Sequence, residues 1–138
     1  MLHGWGTSSQ IWRSWLPLLE AHFCVTCIDL PGLGRSVVNK QRLSLNDVLS
    51  TIEPLIPINS LLLGWSLGGL IATLLAERLL SCVKGLVTIG FNPSFVQQKN
   101  WLSAMDSAVF ERFQKSVAIN PQSTLDDFYK LQVLGGTD

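Results

Sequence analysis

The residues with the most distinctive chemistry lie in one run, Leu-Leu-Leu-Gly-Trp-Ser-Leu-Gly-Gly-Leu, at positions 61–70. The run contains G-x-S-x-G, directly after a predicted strand and directly before a predicted helix. A serine hydroxyl has a pKa far above 7, so it needs a neighbouring base and an exposed position to act as a nucleophile. A tight strand-to-helix turn provides that exposure by lifting the hydroxyl above the sheet edge. The pattern therefore predicts that Ser66 is a catalytic nucleophile.

Two backbone amides are predicted to stabilise the negative charge that develops when this serine attacks a carbonyl. The N–H of Leu67 lies at the start of the predicted helix, where amides point towards an anion. His-Gly-Trp-Gly at positions 3–6 is the usual source of the second donor, here the N–H of Trp5. In this interpretation His3 orders the loop and is not the catalytic base.

Other interpretations of this region remain open. G-x-S-x-G also occurs by chance, in which case Ser66 is an incidental serine in a strand-to-helix turn. Residues 54–76 carry no charge and include a G-x-x-x-G spacing, a pattern also found in transmembrane helices. Pro57 and Asn59 interrupt that apolar run, however, which favours a strand followed by a helix.

The elements that would position these residues alternate between strands and helices. Strands are predicted at 23–29, 59–64 and 85–90, and helices at 11–19, 45–55 and 67–80. Thr7, Ser8 or Ser9 could cap the first helix, and Ser44 the second. Two helices, 101–114 and 124–134, then follow one another without a strand. The order predicts an α/β protein with a parallel sheet in residues 1–92 and a helical region in residues 93–138.

Charge and composition exclude several classes of partner. Ten basic and ten acidic residues give a formal net charge of zero, which argues against binding to nucleic acid or to an anionic membrane. Charged residues are only 14% of the chain and apolar residues 47%. That balance is typical of a parallel sheet covered by helices, or of a core that has lost part of its covering.

The cysteines predict a reducing compartment, and we expect a cytoplasmic protein. There are three, an odd number without the spacing of a disulfide framework. Cys24 and Cys27 form C-x-x-C but would lie on opposite faces of a strand, so we expect core cysteines rather than a redox pair. No Cys or His grouping has metal-ligand spacing, and no metal or cofactor is predicted.

The chain resembles the α/β-hydrolase superfamily in four segments. They are Leu-His-Gly-Trp-Gly at 2–6, Trp-Arg at 12–13, Asp-Leu-Pro-Gly-Leu-Gly-Arg-Ser at 29–36 and Leu-Gly-Trp-Ser-Leu-Gly-Gly-Leu at 63–70. Trp65 before the serine and Trp5 after His-Gly narrow the resemblance to esterases that act on pimeloyl-carrier-protein methyl ester in biotin synthesis. The resemblance implies a parallel sheet with helices on both faces, the start of a helical lid, and a monomer when full length. It also implies that the following residues line the acyl pocket: Trp5, Ser66, Leu67, Phe128, Tyr129, Lys130, Leu131 and Gln132.

The sequence departs from this family in its catalytic partners. The triad order is Ser, Asp, His, yet His3 and His22 both precede Ser66, and the acids after it lie in or beside the lid. Only two residues precede His3, although a full strand, lying between the two predicted at 23–29 and 59–64, is expected there. We therefore expect a chain truncated at both ends that folds poorly or depends on a complementing piece, and that is inactive alone. The alternatives are a dead remnant and a non-catalytic acyl-binding protein.

A further departure concerns the partner. Family members are expected to bind the acidic acyl carrier protein through basic residues on the lid. Asp126 and Asp127 precede the lid segment here, with only Lys130 nearby. The substrate is therefore an acyl ester that is either free or attached to the carrier protein.

Overall fold

The computed structural model describes residues 1–39 and 42–134. The chain divides into two compact units, Met1–Asn92 and Pro93–Asp138. In chain order the first unit contains a 3₁₀ turn (Ser9–Trp12), α1 (Leu16–Leu19), α2 (Leu45–Ile52), a second 3₁₀ turn (Glu53–Leu55), β1 (Ser60–Trp65), α3 (Leu67–Arg78) and β2 (Val83–Ile89). The second unit contains α4 (Ser107–Ile119) and α5 (Pro121–Val133).

The sheet of the first unit is parallel, as predicted. β1 and β2 pair in register, with Leu62 beside Leu86 and Gly64 beside Thr88. Parallel neighbours need a crossover connection, which α3 supplies while packing against both strands. The predicted strand 59–64, helix 67–80 and strand 85–90 therefore form one strand-helix-strand unit, with boundaries shifted by only one or two residues.

The opening residues lie between the segment before Asp29 and β1. Leu2 forms parallel bridges with both Ile28 and Gly64, which is the strand order expected from the resemblance. The predicted strand at 23–29 is wrong in extent, because this segment pairs only at Ile28. At that point the Ile28 N–H donates to the Met1 carbonyl at 3.0 Å.

The first predicted helix, 11–19, is also wrong in extent, since it consists of a 3₁₀ turn followed by α1. The Ser8 hydroxyl caps the 3₁₀ turn by accepting from the Gln10 N–H. Pro17 lies in the first turn of α1, where a missing N–H is tolerated. In a continuous helix the same proline would remove a hydrogen bond and clash with the preceding turn.

The core of the first unit forms between α2, α3 and β1. The Ser44 hydroxyl accepts from the Asp47 N–H while the Asp47 carboxylate accepts from the Ser44 N–H, so the predicted cap is present as a capping box. The buried cluster consists of Leu2, Leu30, Leu49, Ile52, Leu62, Ile71, Ala72 and Leu75. Because it includes Leu2, the opening segment is fixed by the same core that holds β1 and α3.

The other face of this sheet is open among the described residues. Leu61 and Val87 lie on the face opposite the buried Leu62, and they are 58% and 52% exposed.

The second unit is a pair of helices joined at Asn120, whose side chain accepts from the Ser123 N–H. The prediction of a helix at 101–114 is wrong by about one and a half turns, since α4 begins at Ser107. The Asp106 carboxylate accepts from the N–H groups of Ala108 and Val109 and so sets that start. Among the described residues no helix has the length and apolar character needed to span a bilayer.

Candidate active site

Ser66 is the single residue between β1 and α3, and its backbone is strained. Its φ is 53° and its ψ is −117°, a conformation that residues with a side chain rarely adopt. Three hydrogen bonds hold it there. The Ser66 N–H donates to the Ile89 carbonyl at 2.8 Å, and the Ser66 carbonyl accepts from Gly69 and Leu70 at 2.8 and 3.2 Å. Strain of this kind is typical of functional sites, where the surrounding structure must maintain it.

The strain predicts a stability effect of its own. Replacing Ser66 by glycine should relieve about 1–3 kcal/mol of strain, offset by about 0.5–1 kcal/mol of added unfolded-state entropy. We expect Ser66→Gly to be about 1 kcal/mol more stable than Ser66→Ala in urea unfolding. Equal unfolding free energies for the two variants would show that this backbone position is unstrained.

Two glycines permit the close approach of backbone around Ser66. A Cβ on Gly64 would overlap the Gly68 carbonyl. A Cβ on Gly68 would overlap the Leu2 carbonyl and lie 2.6 Å from the His3 carbonyl oxygen. The opening segment therefore lies directly against the first turn of α3, beside Ser66.

His3 is fully buried and has hydrogen-bond partners at both ring nitrogens. Its Nε2 accepts from the Leu30 N–H at 2.9 Å, so the ring proton belongs on Nδ1. Nδ1 then donates to the Gly4 carbonyl at 2.8 Å. These bonds tie the opening loop to Leu30 and leave neither nitrogen to accept a proton from a serine.

Asp29 organises the same loop. Its carboxylate accepts from the Ser9 N–H at 2.6 Å and from the Arg35 N–H at 3.0 Å, and its side chain is 10% exposed. Desolvation acts to raise the pKa of Asp29, but these amide bonds and nearby His3 together lower it to about 2. This bonding makes Asp29 an organiser of the loop.

The lowered pKa of Asp29 predicts pH-dependent stability. A carboxylate whose pKa is lower in the folded state stabilises that state above its ordinary pKa of 3.8, and the contribution is lost as the pH falls towards 2. At 1.36 kcal/mol per pKa unit, Asp29→Asn should cost about 2 kcal/mol at pH 7. The difference from the parent should shrink as urea unfolding is repeated between pH 4 and pH 2. A difference in unfolding free energy that stays constant across that range would contradict a stabilising role of the Asp29 carboxylate.

The two predicted oxyanion donors belong to adjoining segments. Leu67 is the first residue of α3, so its N–H has no acceptor within the helix. Trp5 lies in the turn after Gly4, and a Cβ on Gly4 would lie 2.8 Å from the Trp65 ring, next to Ser66. The structure thus brings Ser66, Leu67 and the loop carrying Trp5 into one region of the first unit.

The predicted acyl-pocket residues of the lid lie on α5, in the second unit. Phe128, Leu131 and Gln132 line a mostly apolar cavity of about 610 Å³ between α4 and α5. Tyr129 and Lys130 do not line it, and the Lys130 ammonium lies 2.9 Å from the Asp127 carboxylate. This ion pair partly neutralises the one basic residue of the segment.

The remaining sequence-based candidates are not part of the site. Among the described residues no group of His, Cys, Asp or Glu side chains could hold a metal. All three cysteines are free. Cys24 is exposed and Cys27 is only partly buried, so the expectation of core cysteines is wrong for both residues. Cys24 is exposed because its segment pairs with the sheet only at Ile28.

Thr7 is the contact that sequence reasoning missed. It was a candidate helix cap, but Ser8 has that role. The Thr7 hydroxyl instead donates to the Gly4 carbonyl at 2.9 Å. Its position four residues after His3 was the available signal.

Comparison with known proteins gives a consistent result. Residues 1–133 match the family described as alpha/beta hydrolase fold. The chain is 39% identical over 135 residues to a pimeloyl-[acyl-carrier protein] methyl ester esterase from Edwardsiella ictaluri and 37% identical to one from Sodalis glossinidius. Each alignment covers 98% of this chain and 52% of the relative, so the chain spans about half the length of these relatives.

Solved structures show the same fold. A hydrolase from Oleispira antarctica matches with a TM-score of 0.78 at 22% identity, covering 89% of this chain and 48% of that one. A bromoperoxidase from Bacillus anthracis matches with a TM-score of 0.74 at 26% identity, covering 92% of this chain and 49% of that one.

Proposed function

The chain belongs to the α/β-hydrolase family, and from that premise we propose that it is a serine carboxylesterase with Ser66 as the nucleophile. The observation that carries the proposal is the backbone of Ser66, held at φ 53° between β1 and α3. Nothing in strand or helix formation requires a non-glycine residue in that conformation. A nucleophile that must project from the sheet edge does require a side chain in that conformation.

The N–H groups of Leu67 and Trp5 are the oxyanion donors of this proposal. Leu67 supports it through its position at the start of α3, where the helix dipole adds to the hydrogen bond. Trp5 supports it because its loop lies against Trp65 and the first turn of α3. Donors of this type stabilise a tetrahedral intermediate by about 3–4 kcal/mol each.

The proposed substrate is an acyl methyl ester, because the relatives are methyl ester esterases by name. The Ser66 oxygen attacks the ester carbonyl, methanol leaves with a proton, and water hydrolyses the acyl-enzyme. In the second unit, the cavity between α4 and α5 supports an acyl group as ligand through its apolar lining. We also propose that this acyl group is attached to acyl carrier protein. The same proposal includes a role in biotin synthesis and a cytoplasmic location.

His3 does not serve as the general base, because both of its ring nitrogens are already hydrogen-bonded. His22 follows α1, with its ring against Phe23. We therefore expect the 138-residue chain by itself to turn over esters very slowly. The bonding of His3 also favours a second candidate function, acyl-ester binding without turnover.

Covalent labelling tests the proposal. A fluorophosphonate reacts with an activated serine, and peptide mass spectrometry locates the adduct. An adduct on Ser66 supports the nucleophile, and an adduct elsewhere or none overturns it. Calorimetric binding of monomethyl pimelate without release of methanol would identify the second candidate.

A further inference from the structure

The Gly4–Trp5 peptide is held by side chains that come from two separate segments. Its carbonyl oxygen accepts from His3 Nδ1 at 2.8 Å and from the Thr7 hydroxyl at 2.9 Å. It also accepts from the Thr7 N–H at 3.4 Å, which closes a turn with Gly6 at its third position. Gly6 has a φ of 73°, the left-handed value that a type II turn needs there.

The other side of this peptide is held by an aromatic ring. Gly4 is buried, and a Cβ there would lie 2.8 and 2.9 Å from Trp65 Cε3 and Cζ3. The opposite edge of the same indole lies near Gly90, where a Cβ would be 3.5 Å from Nε1. The Trp65 ring thus spans from the opening loop to the turn after β2, and it lies tightly against Gly4.

These contacts determine where the Trp5 N–H points. All peptide bonds of the described residues are trans, so the Gly4 carbonyl and the Trp5 N–H point in opposite directions. Donors on the carbonyl and a ring against the Cα leave the peptide plane little freedom to rotate. Small rotations matter, because an oxyanion donor acts only at about 2.7–3.1 Å from the developing charge.

We propose that Thr7 and Trp65 are positioning residues that orient the Gly4–Trp5 peptide so that the Trp5 N–H faces the Ser66 reaction centre. The inference rests on the proposed esterase function and extends it to two side chains that act through the Gly4–Trp5 peptide. Thr7 acts through the Gly4 carbonyl, and Trp65 acts through the Gly4 Cα. Removing either contact should misdirect the donor while the rest of the unit stays folded.

The direct test measures the orientation of the Trp5 N–H by ¹⁵N–¹H residual dipolar couplings. Thr7→Val keeps the side-chain shape and removes the donor, so the Trp5 coupling should change while couplings in β1 stay constant. Thr7→Ser keeps the hydroxyl and should restore the parent value. Trp65→Leu should shift the same coupling, and Trp65→Phe, which retains a flat ring, should shift it less. An unchanged Trp5 coupling in Thr7→Val and Trp65→Leu overturns the inference.

A second measurement connects orientation to reactivity. Loss of a complete oxyanion donor costs about 100- to 1,000-fold in rate, so a misdirected donor should slow the maximal rate of fluorophosphonate labelling by about tenfold or more. The probe concentration for half-maximal rate should stay constant. Parent-like labelling rates in variants with a shifted Trp5 coupling overturn the positioning role. A parent protein with the expected couplings but no label on Ser66 instead overturns the proposed function and leaves the orientation of the peptide supported.

Discussion

Replacing Ser66 by alanine should abolish fluorophosphonate labelling, whereas replacing the exposed Ser81 should leave it unchanged. The reaction forms a bond between the Ser66 oxygen and phosphorus, expels fluoride and transfers the hydroxyl proton to solvent base. Alanine lacks the oxygen, so the loss should be complete. Intact-protein mass spectrometry over a time course measures it, and equal labelling of the parent and the Ser66→Ala variant would contradict the assignment.

The pH dependence of the same reaction identifies the base. An oxyanion site without its triad retains about 1,000-fold catalysis over water, so labelling of Ser66 should be slow but detectable. Without a histidine base, its rate should rise about tenfold per pH unit with no inflection near pH 6.5. An inflection there would show that His22, or His3 against its observed bonding, serves as base.

Replacing Gly68 by alanine should remove most or all of the stability of the first unit. The added Cβ would overlap the Leu2 carbonyl and come within 2.6 Å of the His3 carbonyl oxygen. Overpacking a core costs about 1–3 kcal/mol and more when backbone must move. Here both sides of the contact are backbone, so we expect a loss of at least about 3 kcal/mol in urea unfolding.

Gly85→Ala is the matched control for this substitution. Its Cβ would meet only Leu61 Cδ2, at 2.9 Å. Leu61 is 58% exposed and its side chain can rotate into solvent. We therefore expect a change within about 1 kcal/mol, with alanine reducing the entropy of the unfolded chain. Equal destabilisation by Gly68→Ala and Gly85→Ala would show that the contact between the opening segment and α3 is looser than the structure indicates.

The strand-helix-strand unit around Ser66 could be predicted because its signals are local. Three signals adjoin one another in the sequence: the apolar run before Gly64, the glycines of the turn and the helical residues after Ser66. Each of them restricts the backbone directly. The same holds for α2, whose capping box uses Ser44 and Asp47, three residues apart. The family relation was also accessible, since its motifs are short and contiguous.

Other elements could not be predicted, because their extent depends on neighbours that are distant in sequence. The segment at 23–29 has the composition of a strand, but a strand forms only where a neighbour offers amides and carbonyls, and here the segment pairs with Leu2 at Ile28. The helix predicted from residue 101 begins at Ser107 in the structure. The residues before it pair with one another instead, because Val96 forms a bridge with Met105 and Gln98 with Trp101.

By itself, the sequence determined that Ser66 occupies a sharp turn between a parallel strand and a helix, because the residues that impose that turn adjoin it. Only the tertiary structure decided what surrounds the turn. It placed Leu2 between Ile28 and Gly64, engaged both nitrogens of His3, and set the Gly4–Trp5 peptide against Trp65. Backbone conformation is restricted by adjacent residues, whereas such contacts exist only after distant segments have packed on a common core.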